Sequence, residues 1–569
     1  MNRNYDTFQL SIFLTTQELE HIFSDPQIAE RELAILEKYL RVGKVYAEFF
    51  RERETDRKLL LTARDFFRAR GIEVATGIMP VSGALASTGQ GMCYADPKIA
   101  ALYDDMLTFA AAEFDEIIVD DFFATDCTCD VCRAAKGDRT WDEYRMEMMT
   151  AFSRDHVIAP AKKANPNVKI TLKYPTWHES FHWLGYDTEH QPHLFDEIYA
   201  GTETRHTSYS LFRNPRYTSY SLLRLLQHYP PYNTRGAWFD SIQCANSADI
   251  YMEQAELTLL AAPREMTLFN WSLCVDHTLE STAALGVRLE KLSKPLAALG
   301  EPTGVPVYLP FHSTGEDHVF DFLGMCGVPT DPVVIFPESG MVILTAASTK
   351  DNDLVEKIKA HVAKGGHVCM TSGCLAILQD KGISDCTAMR VTPRSQLGSE
   401  FGGFDFGWGD RTEYYHASHP INLPMIDWIT NENTFLAMQM RDASPNILMA
   451  YSRYGKGRAY VLNIPDSYSD CYDIPAPVWA YLRKYLSTDL NVWLEGQTKI
   501  AVFPRKDQTV ALRSFLEHGS IAKLHVKGDA ETLIDLRTGG KIAPLYKKKD
   551  ETVFELNVAP QALAMYRWE

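Results

Sequence analysis

Two adjacent carboxylates close an apolar stretch in the first quarter of the sequence. Asp120 and Asp121 directly follow the apolar residues 117–119, in the segment DEIIVDDFF. Neighbouring residues of a regular strand face opposite sides, so both acids can face the same way only where the strand frays into its loop. Two carboxylates held close together raise the pKa of one of them, which then keeps a proton at neutral pH. Asp120 could then orient a substrate group while Asp121 acts as general acid; alternatively, the pair caps the next helix or binds a loop amide.

Polar and aromatic side chains stand at the ends of several other apolar segments. Aromatic faces stack on the apolar faces of pyranose rings, while acids and amides bind sugar hydroxyl groups. Glycosidic cleavage needs an acid that protonates the leaving oxygen and a carboxylate that serves as nucleophile or base. The pattern therefore indicates a sugar site, with Asp121 and Asp240 as one workable catalytic pair. The candidate substrate-binding residues are Glu48, Lys173, Trp177, His178, Glu203, Arg205, Trp238, Asn270 and Trp271.

These residues also have structural interpretations. Glu48 could form an ion pair with an arginine inside the fold, and Asp240 could be a structural acid. The tryptophans could belong to the core, although Trp238 and Trp271 stand late in their segments, as sugar platforms would. Lys173 is isolated among apolar neighbours, which favours a role in a polar site.

Three cysteines follow the acid pair in the segment CTCDVC. Cys127, Cys129 and Cys132 lie within reach of one another, and three thiolates with one further ligand would form a structural zinc site. Asp126, Asp130 or a distant cysteine or histidine could supply the fourth ligand. The alternatives are a reduced cluster that tucks in the loop, or a redox pair. A zinc here would brace the loop, so we expect no cofactor for catalysis.

The elements that would position these residues alternate regularly between strand and helix. Helical patterns separate the apolar segments, most clearly at residues 56–71 and 96–114. Eight strands, each followed by a helix, favour a (β/α)8 TIM barrel over residues 1–300 rather than a doubly wound open sheet. The strand segments are 7–14, 44–50, 72–80, 116–123, 168–175, 196–204, 235–242 and 265–272. The candidate site residues would then gather at the carboxyl ends of the strands, where barrel active sites lie.

Two smaller domains are predicted after the barrel. Residues 301–488 combine strands with helices at 353–366 and 478–486, which indicates a flavodoxin-like α/β domain. Residues 489–569 contain short alternating strands and turn residues, which indicates a small antiparallel, β-sandwich-like domain.

Composition narrows the classes of partner. The 569 residues carry a net charge of −17, which argues against nucleic acid, because phosphate binding needs an excess of Lys and Arg on one face. The sequence contains no apolar stretch long enough for a membrane span and no signal-peptide pattern at its start. We expect a cytoplasmic protein, or a periplasmic one if a signal peptide has been removed.

The order of parts resembles the three-domain layout of the family 42 β-galactosidases and their relatives. In that family strand 4 ends in Asn-Glu and strand 7 in Glu, where this chain has VDDFF and WFDSI. The resemblance implies that Asp121 takes the acid/base position and Asp240 the nucleophile position, each an Asp in place of a Glu. It also implies an exo-acting glycosidase of carbohydrate metabolism or polysaccharide degradation, and a homo-oligomer, a dimer or trimer, through residues 301–488.

Three other functions stay open at this point. The acid pair is similar to that of barrel hydrolases that cleave N-acetylhexosaminides by substrate assistance, in which case Asp120 and Asp121 would act together. A barrel that has lost its catalytic activity could instead serve as a non-catalytic carbohydrate-binding or scaffold protein. The third function is an amidotransferase-like enzyme with Cys374 as nucleophile, although TSGCLAIL lacks the tight glycine elbow of such enzymes.

Overall fold

Eight short apolar segments in the N-terminal half form the parallel strands of one closed sheet. The computed structural model describes residues 3–80, 92–208, 214–244, 247–403, 413–428, 434–442 and 444–569, and the chain divides into the compact units Met1–Ala297 and Ala298–Glu569. The barrel strands are β1 Gln9–Leu14, β2 Lys44–Arg51, β3 Glu73–Met79, β4 Glu116–Val119, β5 Lys169–Tyr174, β6 Glu197–Gly201, β7 Thr234–Asp240 and β8 Glu265–Phe269.

The strands pair in the order of the chain. Each is parallel to the next, and β8 returns to pair with β1, so that the barrel closes. A two-residue strand, Arg53–Glu54, folds back antiparallel on β2. Because helices cover the outside and side chains fill the inside, most strand residues are buried on both faces, which explains the continuous apolar runs in the sequence. The predicted (β/α)8 barrel is confirmed, and each predicted strand segment overlaps an observed strand.

The barrel helices begin at side-chain caps that the sequence supplies. Asp25 and Asp96 each accept a bond from the backbone two residues later and precede a proline in the first helical turn. The helices are α1 Thr16–Ile22, α2 Pro26–Glu37, α3 Arg57–Arg68, α4 Pro97–Glu113, α5 Asp130–Lys136, α6 Trp141–Phe152, α7 Ala159–Ala164, α8 Thr218–Gln227, α9 Ala248–Leu260 and α10 Leu279–Ala297. Short 3₁₀ and π turns occupy His178–Ser180, His182–Leu184, Gln191–His193, Ser153–Ile158 and Leu273–His277.

Two layers of inward-facing side chains fill the barrel below its mouth. An aromatic layer contains Phe13, Tyr46, Tyr199 and Trp238, so the centre of the barrel is packed and not a channel. The second layer lies near the starts of the strands and is ionic. There Glu265 forms ion pairs with Lys44 at 3.3 Å and with Arg235 at 2.7 Å, and it accepts a hydrogen bond from the Tyr46 hydroxyl at 2.7 Å.

The second unit begins with a nine-stranded mixed sheet. Its parallel half agrees with the predicted flavodoxin-like pattern, with the strands β9 Val305–Tyr308, β10 Thr330–Val333, β11 Met341–Leu344 and β12 His367–Thr371. The other half is antiparallel, and the sequence analysis did not predict it: β13 Met389–Gly403, β14 Glu413–Trp428, β15 Thr434–Arg441, β16 Ser444–Tyr454 and β17 Gly457–Leu462. The helices are α11 Val319–Met325, α12 Leu354–Lys364, α13 Ser372–Leu378 and α14 Ala476–Leu486, with 3₁₀ turns at Ala346–Lys350, Ile383–Asp385 and Tyr468–Tyr472.

Two antiparallel sheets end the chain, as predicted. One has the order β18-β21-β25-β24 and the other β19-β20-β26-β22-β23, and their apolar faces share one core. The strands are β18 Val492–Glu495, β19 Ile500–Pro504, β20 Thr509–Ser514, β21 Ser520–Lys527, β22 Leu533–Asp535, β23 Lys541–Ile542, β24 Tyr546–Lys548, β25 Glu551–Val558 and β26 Leu563–Trp568. The division of the second unit near residue 488 stays a prediction. None of the helices in the described ranges has the length and hydropathy needed to cross a bilayer.

Candidate active site

Lys173 stands at the centre of a buried carboxylate cluster at the carboxyl end of the barrel. Its ammonium nitrogen lies 2.6 Å from Asp121 Oδ2, 3.2 Å from Glu203 Oε1 and 3.3 Å from Asp120 Oδ1. The side chain is only 1% exposed. Burial alone would lower the pKa of Lys173, but the three carboxylates raise it above its usual value, so the ammonium keeps its charge.

The chain turns immediately after β4, which lets both acids of the pair leave the strand geometry. The Phe123 N–H bonds to the Asp120 carbonyl, and the Tyr186 hydroxyl donates to the Asp121 carbonyl. The Asp121 N–H in turn donates to Asp120 Oδ1 at 2.7 Å. Both side chains therefore reach Lys173, an arrangement that a regular strand would not allow.

Asp120 is the inner member of the pair and is completely buried. Burial raises the pKa of its carboxyl group to about 8; the nearby Lys173 ammonium opposes this rise, and the Asp121 charge adds to it. Among the described residues, the oxygen Oδ2 has no hydrogen-bond partner. A carboxyl group in this setting is suited to holding a proton and orienting its neighbours.

Asp240 ends β7 and is held by Arg205, which follows β6. The guanidinium donates two bonds, from Nε to Oδ1 at 3.1 Å and from Nη2 to Oδ2 at 2.6 Å, and the Ile242 N–H also donates to Oδ1. Burial raises the pKa of Asp240 to about 6, Arg205 opposes the rise, and the charge of Glu203 adds to it. Arg205 itself adopts a left-handed backbone conformation with φ 54°.

Glu203 lies between these two groups. Because Lys173 Nζ is 2.6 Å from Asp121 Oδ2 and 3.2 Å from Glu203 Oε1, the two carboxylate oxygens are separated by at most the sum, about 5.8 Å. A Cβ atom at Gly201 would lie 2.6 Å from Glu203 Oε2, so the glycine at the end of β6 leaves room for this carboxylate. Lys173 therefore joins Asp121 to Glu203, and the charges of Glu203 and Arg205 both act on Asp240.

Trp238 forms the floor of the cluster. Its ring lies 3.6 Å below the Lys173 ammonium and stacks on Phe269 with centroids 5.5 Å apart. The residue is only 3% exposed. The indole therefore supports Lys173 through a cation–π contact instead of offering an open sugar platform.

Glu48 is an interior structural acid, the alternative that the sequence left open. It accepts the Thr16 N–H at 2.6 Å and the Arg51 Nε–H at 2.8 Å, and burial raises its pKa to about 7. The Arg51 charge also lowers the pKa of Asp120, so Arg51 links Glu48 to the cluster. Arg51 Nη2 is buried and has no hydrogen-bond partner in the described part of the chain, which makes Arg51 a candidate site residue that the sequence did not indicate.

Four predicted binding residues lie in the loops that follow β5 and β8. Trp177 and His178 are half-buried in the loop after β5. Asn270 caps the turn after β8, since its Oδ1 accepts the Leu273 N–H at 3.2 Å. Trp271 is 1% exposed, and its indole N–H donates to Glu32 at 2.9 Å, so most of this side chain belongs to the core.

The cysteine cluster gains a fourth member that the sequence did not identify. Cys93 Sγ lies 3.6 Å from the sulfur atoms of both Cys129 and Cys132, and the four ligand atoms including that of Cys127 all lie within 4.8 Å of one another. Four sulfur atoms at this spacing fit one tetrahedral zinc with bonds of about 2.3 Å. Cys127 and Cys132 are buried beside Tyr144, so the cluster anchors the loop after β4.

Cys374 has the environment of a core thiol. It is completely buried within α13, and burial raises its pKa well above the usual range. A catalytic thiol needs the opposite shift and access to substrate, so these surroundings argue against the amidotransferase-like function.

The chain matches two described families. The family described as "probable glycosyl hydrolase, catalytic domain" matches residues 1–285, and the second domain of the uncharacterized protein SSO3021 matches residues 300–467. SSO3021 of Saccharolobus solfataricus is 25% identical over 401 residues, which cover 62% of this chain and 65% of that protein. The matched part is thus less than two thirds of the length of SSO3021.

Solved structures of β-galactosidases share the fold along the whole chain. The chain is similar to a catalytic mutant of Gan42B, a GH42 β-galactosidase from G. stearothermophilus, with a TM-score of 0.66, 11% identity and coverage of 100% of both chains. A β-galactosidase from Bacillus circulans sp. alkalophilus gives a TM-score of 0.64, 11% identity and coverage of 99% of both chains. The predicted architectural resemblance to the family 42 enzymes is confirmed at the level of the fold.

Proposed function

The chain belongs to the family of probable glycosyl hydrolase catalytic domains, and we propose that it is an exo-acting glycoside hydrolase that uses Asp121 and Asp240. The observation that carries this proposal is the convergence of carboxylates from the ends of β4, β6 and β7 on Lys173 and Arg205. Glycosidic cleavage needs a pair of catalytic carboxylates, and strand ends at the mouth of a barrel are where such groups lie.

Asp240 is the nucleophile in this proposal. A carboxylate attacks only in its ionised form, and the two bonds from Arg205 stabilise that form. The same bonds fix the orientation of the carboxylate, which favours a defined line of attack on the sugar carbon.

Asp121 is the acid/base residue. Its carboxylate is nearest to the Lys173 ammonium, and its side chain is 9% exposed where that of Asp120 is not exposed at all. In this role Asp121 donates a proton to the leaving oxygen and then takes one from the attacking water.

Glu203 and Arg51 bind sugar hydroxyl groups, and Asp120 positions Lys173. Substrate assistance is the second candidate mechanism, and it needs an acetamide group to reach Asp120, whose side chain is not exposed at all. A cluster closed from below by Trp238 suits a terminal sugar entering from the open end, which supports the exo mode of action.

Cys93, Cys127, Cys129 and Cys132 hold a structural zinc in this proposal. The four sulfur ligands leave no open coordination position, so the metal braces the loop that follows Asp121 and takes no part in catalysis. The partner is a carbohydrate, not a nucleic acid or a membrane, in keeping with the net charge of −17.

The function is tested by measuring release from a panel of α- and β-linked nitrophenyl glycosides, including N-acetylhexosaminides and uronides, with a second panel of natural disaccharides. The wild-type protein, Asp121→Asn and the control Asp130→Asn are compared. Asp130 carries a 97% exposed carboxylate near the same loop, so its replacement leaves the barrel mouth unchanged.

We expect the wild type and Asp130→Asn to release at least one sugar at equal rates. Asp121→Asn should lose about 100-fold or more, the scale of general acid catalysis. Equal release by all three proteins would remove Asp121 from the mechanism. Silence of the wild type across both panels would favour the non-catalytic carbohydrate-binding function.

A further inference from the structure

The second unit contains a cavity of about 410 Å³ against one face of a C-terminal sheet. We propose that this cavity is a non-catalytic binding site for an uncharged saccharide. Its size falls in the range of small-molecule sites, roughly 300–1,000 Å³. The site goes beyond the proposed hydrolase activity and does not require it.

The sheet β18-β21-β25-β24 explains why aromatic side chains meet at this cavity. Trp493, His525, Val553 and Tyr546 are direct neighbours across the four strands and therefore face the same side. The residues that alternate with these along each strand, such as Leu494, face the opposite side and form the core of the domain. The side away from the core is thus an aromatic surface and not an ordinary polar one.

The helix α14 and the start of β14 form the remaining walls. Tyr481 and Lys484 line the cavity from α14, and Tyr415 lines it from β14. A Cβ atom at Gly403 would lie 2.5 Å from the Tyr481 ring, so the glycine allows this ring to pack closely on β13. The Tyr415 hydroxyl donates to Glu413, which places a carboxylate at the same wall.

His525 provides a buried polar group inside the cavity. Its side chain is 3% exposed and stacks on Trp493 with ring centroids 3.8 Å apart. Its nitrogens lie 3.1 Å from Glu551 Oε1 and 3.4 Å from Glu495 Oε2. The two nitrogens therefore face carboxylates on either side, and His525 holds Glu551 and Glu495 at the wall of the cavity.

The lining chemistry favours a saccharide over other small ligands. The negative faces of aromatic rings attract the weakly positive C–H groups of a pyranose face. Carboxylates such as Glu495 and Glu551 accept bonds from hydroxyl groups, and lysines such as Lys548 donate to them. Charges of both signs line the cavity, so no single sign selects an anion or a cation. A neutral polyol satisfies both kinds of group.

Binding is tested with full-length Asp121→Asn protein, so that no glycoside is consumed. Saturation-transfer NMR surveys methyl glycosides of glucose, galactose, xylose and N-acetylglucosamine and their β-linked disaccharides, and calorimetry then measures the affinity of the responding sugar. Trp493→Ala and Tyr546→Ala are added singly to this background. Tyr414→Ala is the matched control, since Tyr414 is 50% exposed and adjacent to Tyr415 but does not line the cavity.

We expect at least one saccharide to bind. Its affinity should fall at least tenfold in Trp493→Ala and Tyr546→Ala and stay unchanged in Tyr414→Ala. Tyr546 is partly exposed, so its variant provides a test even if the stacked Trp493 variant fails to fold. Binding that is equal in all variants would assign the sugar to the barrel instead, and the absence of binding by every sugar would overturn the proposal. Neither result depends on turnover, so the hydrolase proposal is judged separately.

Discussion

At the scale of single residues, Lys173 determines how the acids of the barrel mouth can coexist. Three carboxyl groups each have an oxygen within 3.3 Å of its nitrogen, and a cation among acidic groups offsets their mutual repulsion. Burial makes both the attraction and the repulsion larger than they would be in water. Lys173 therefore holds Asp121, Glu203 and Asp120 together at the mouth of the barrel.

Arg205 has a similar role for Asp240, and this gives a prediction about pH. Asp240 must be ionised to attack, and its pKa is about 6, so kcat/KM should rise as the pH increases through 6. Arg205 lowers the pKa of Asp240. Arg205→Gln should therefore move the rising part of the profile, its acid limb, to higher pH. Profiles of kcat/KM against pH measure the shift.

The control for this prediction is Arg133→Gln, whose 58% exposed side chain pairs with Asp130 in α5. The acid limb of the control should match that of the wild type. An unchanged limb in Arg205→Gln would mean that a group other than Asp240 limits the rate at low pH.

At the scale of elements, the starts of the barrel strands are joined by a buried ionic layer. Burial by itself would raise the pKa of Glu265, but Lys44 and Arg235 lower it to about 2. Its ordinary value is 4.5. A carboxylate whose pKa is lower in the folded protein stabilises the fold above its ordinary pKa, and the contribution is lost as the pH falls from 4.5 toward 2.

Glu265→Gln should therefore lower the free energy of unfolding of the barrel by about 3–5 kcal/mol at pH 7, because it leaves buried cations without this partner. The difference from the wild type should shrink below pH 4.5. Urea unfolding at several pH values measures it. Glu290→Gln, which breaks an exposed pair with Arg41, should change stability by no more than about 1 kcal/mol, and an equal loss in both variants would contradict the account.

The loop after β4 gives a prediction about metal content. Purified protein should contain about one zinc per chain, held by four cysteines including Cys93. Cys93→Ser should lose this zinc, while Cys386→Ala, which changes a buried thiol of the second unit, should keep it. Elemental analysis of the three proteins is the measurement. Zinc-free wild type, or zinc retained in Cys93→Ser, would contradict the assignment.

The sequence predicted the barrel strands because burial on both faces leaves a local signature, a short apolar run before each loop. It did not predict β13 and β14, which alternate exposed and half-buried residues and contain prolines, such as Pro393 and Pro420, that interrupt a strand pattern. Cys93 was missed because folding, not spacing, brings it to the other cysteines. The bonds between Arg205 and Asp240 likewise depend on side-chain reach between two strands, which no local pattern reports.

At the scale of the whole molecule, the fold similarity covers the entire chain while the identity is low. The β-galactosidase structures match over at least 99% of both chains at 11% identity, so the fold is shared although few residues are the same. The aspartates at 121 and 240 are shorter than the glutamates that the family resemblance leads one to expect. The surrounding cations must therefore place each carboxylate for catalysis, since a misplacement of about 1 Å can cost roughly 100-fold in rate.

The resemblance also predicts assembly into a homo-oligomer. Light scattering coupled to size-exclusion chromatography should give two or three times the chain mass of 64.4 kDa. Closed symmetric dimers and trimers are common solutions for soluble proteins. A mass equal to that of one chain at every concentration would contradict this expectation.

Asp121 and Asp240 are assigned as the catalytic pair, and the kinetics of site variants on the glycoside that the wild type hydrolyses test this assignment. We would measure kcat and KM for Asp121→Asn, Asp240→Asn and Glu203→Gln, with thermal unfolding as the control for folding. We expect kcat to fall about 100-fold or more in both aspartate variants, while Glu203→Gln mainly raises KM. Full turnover in either aspartate variant would contradict the assignment of Asp121 and Asp240 as the catalytic pair.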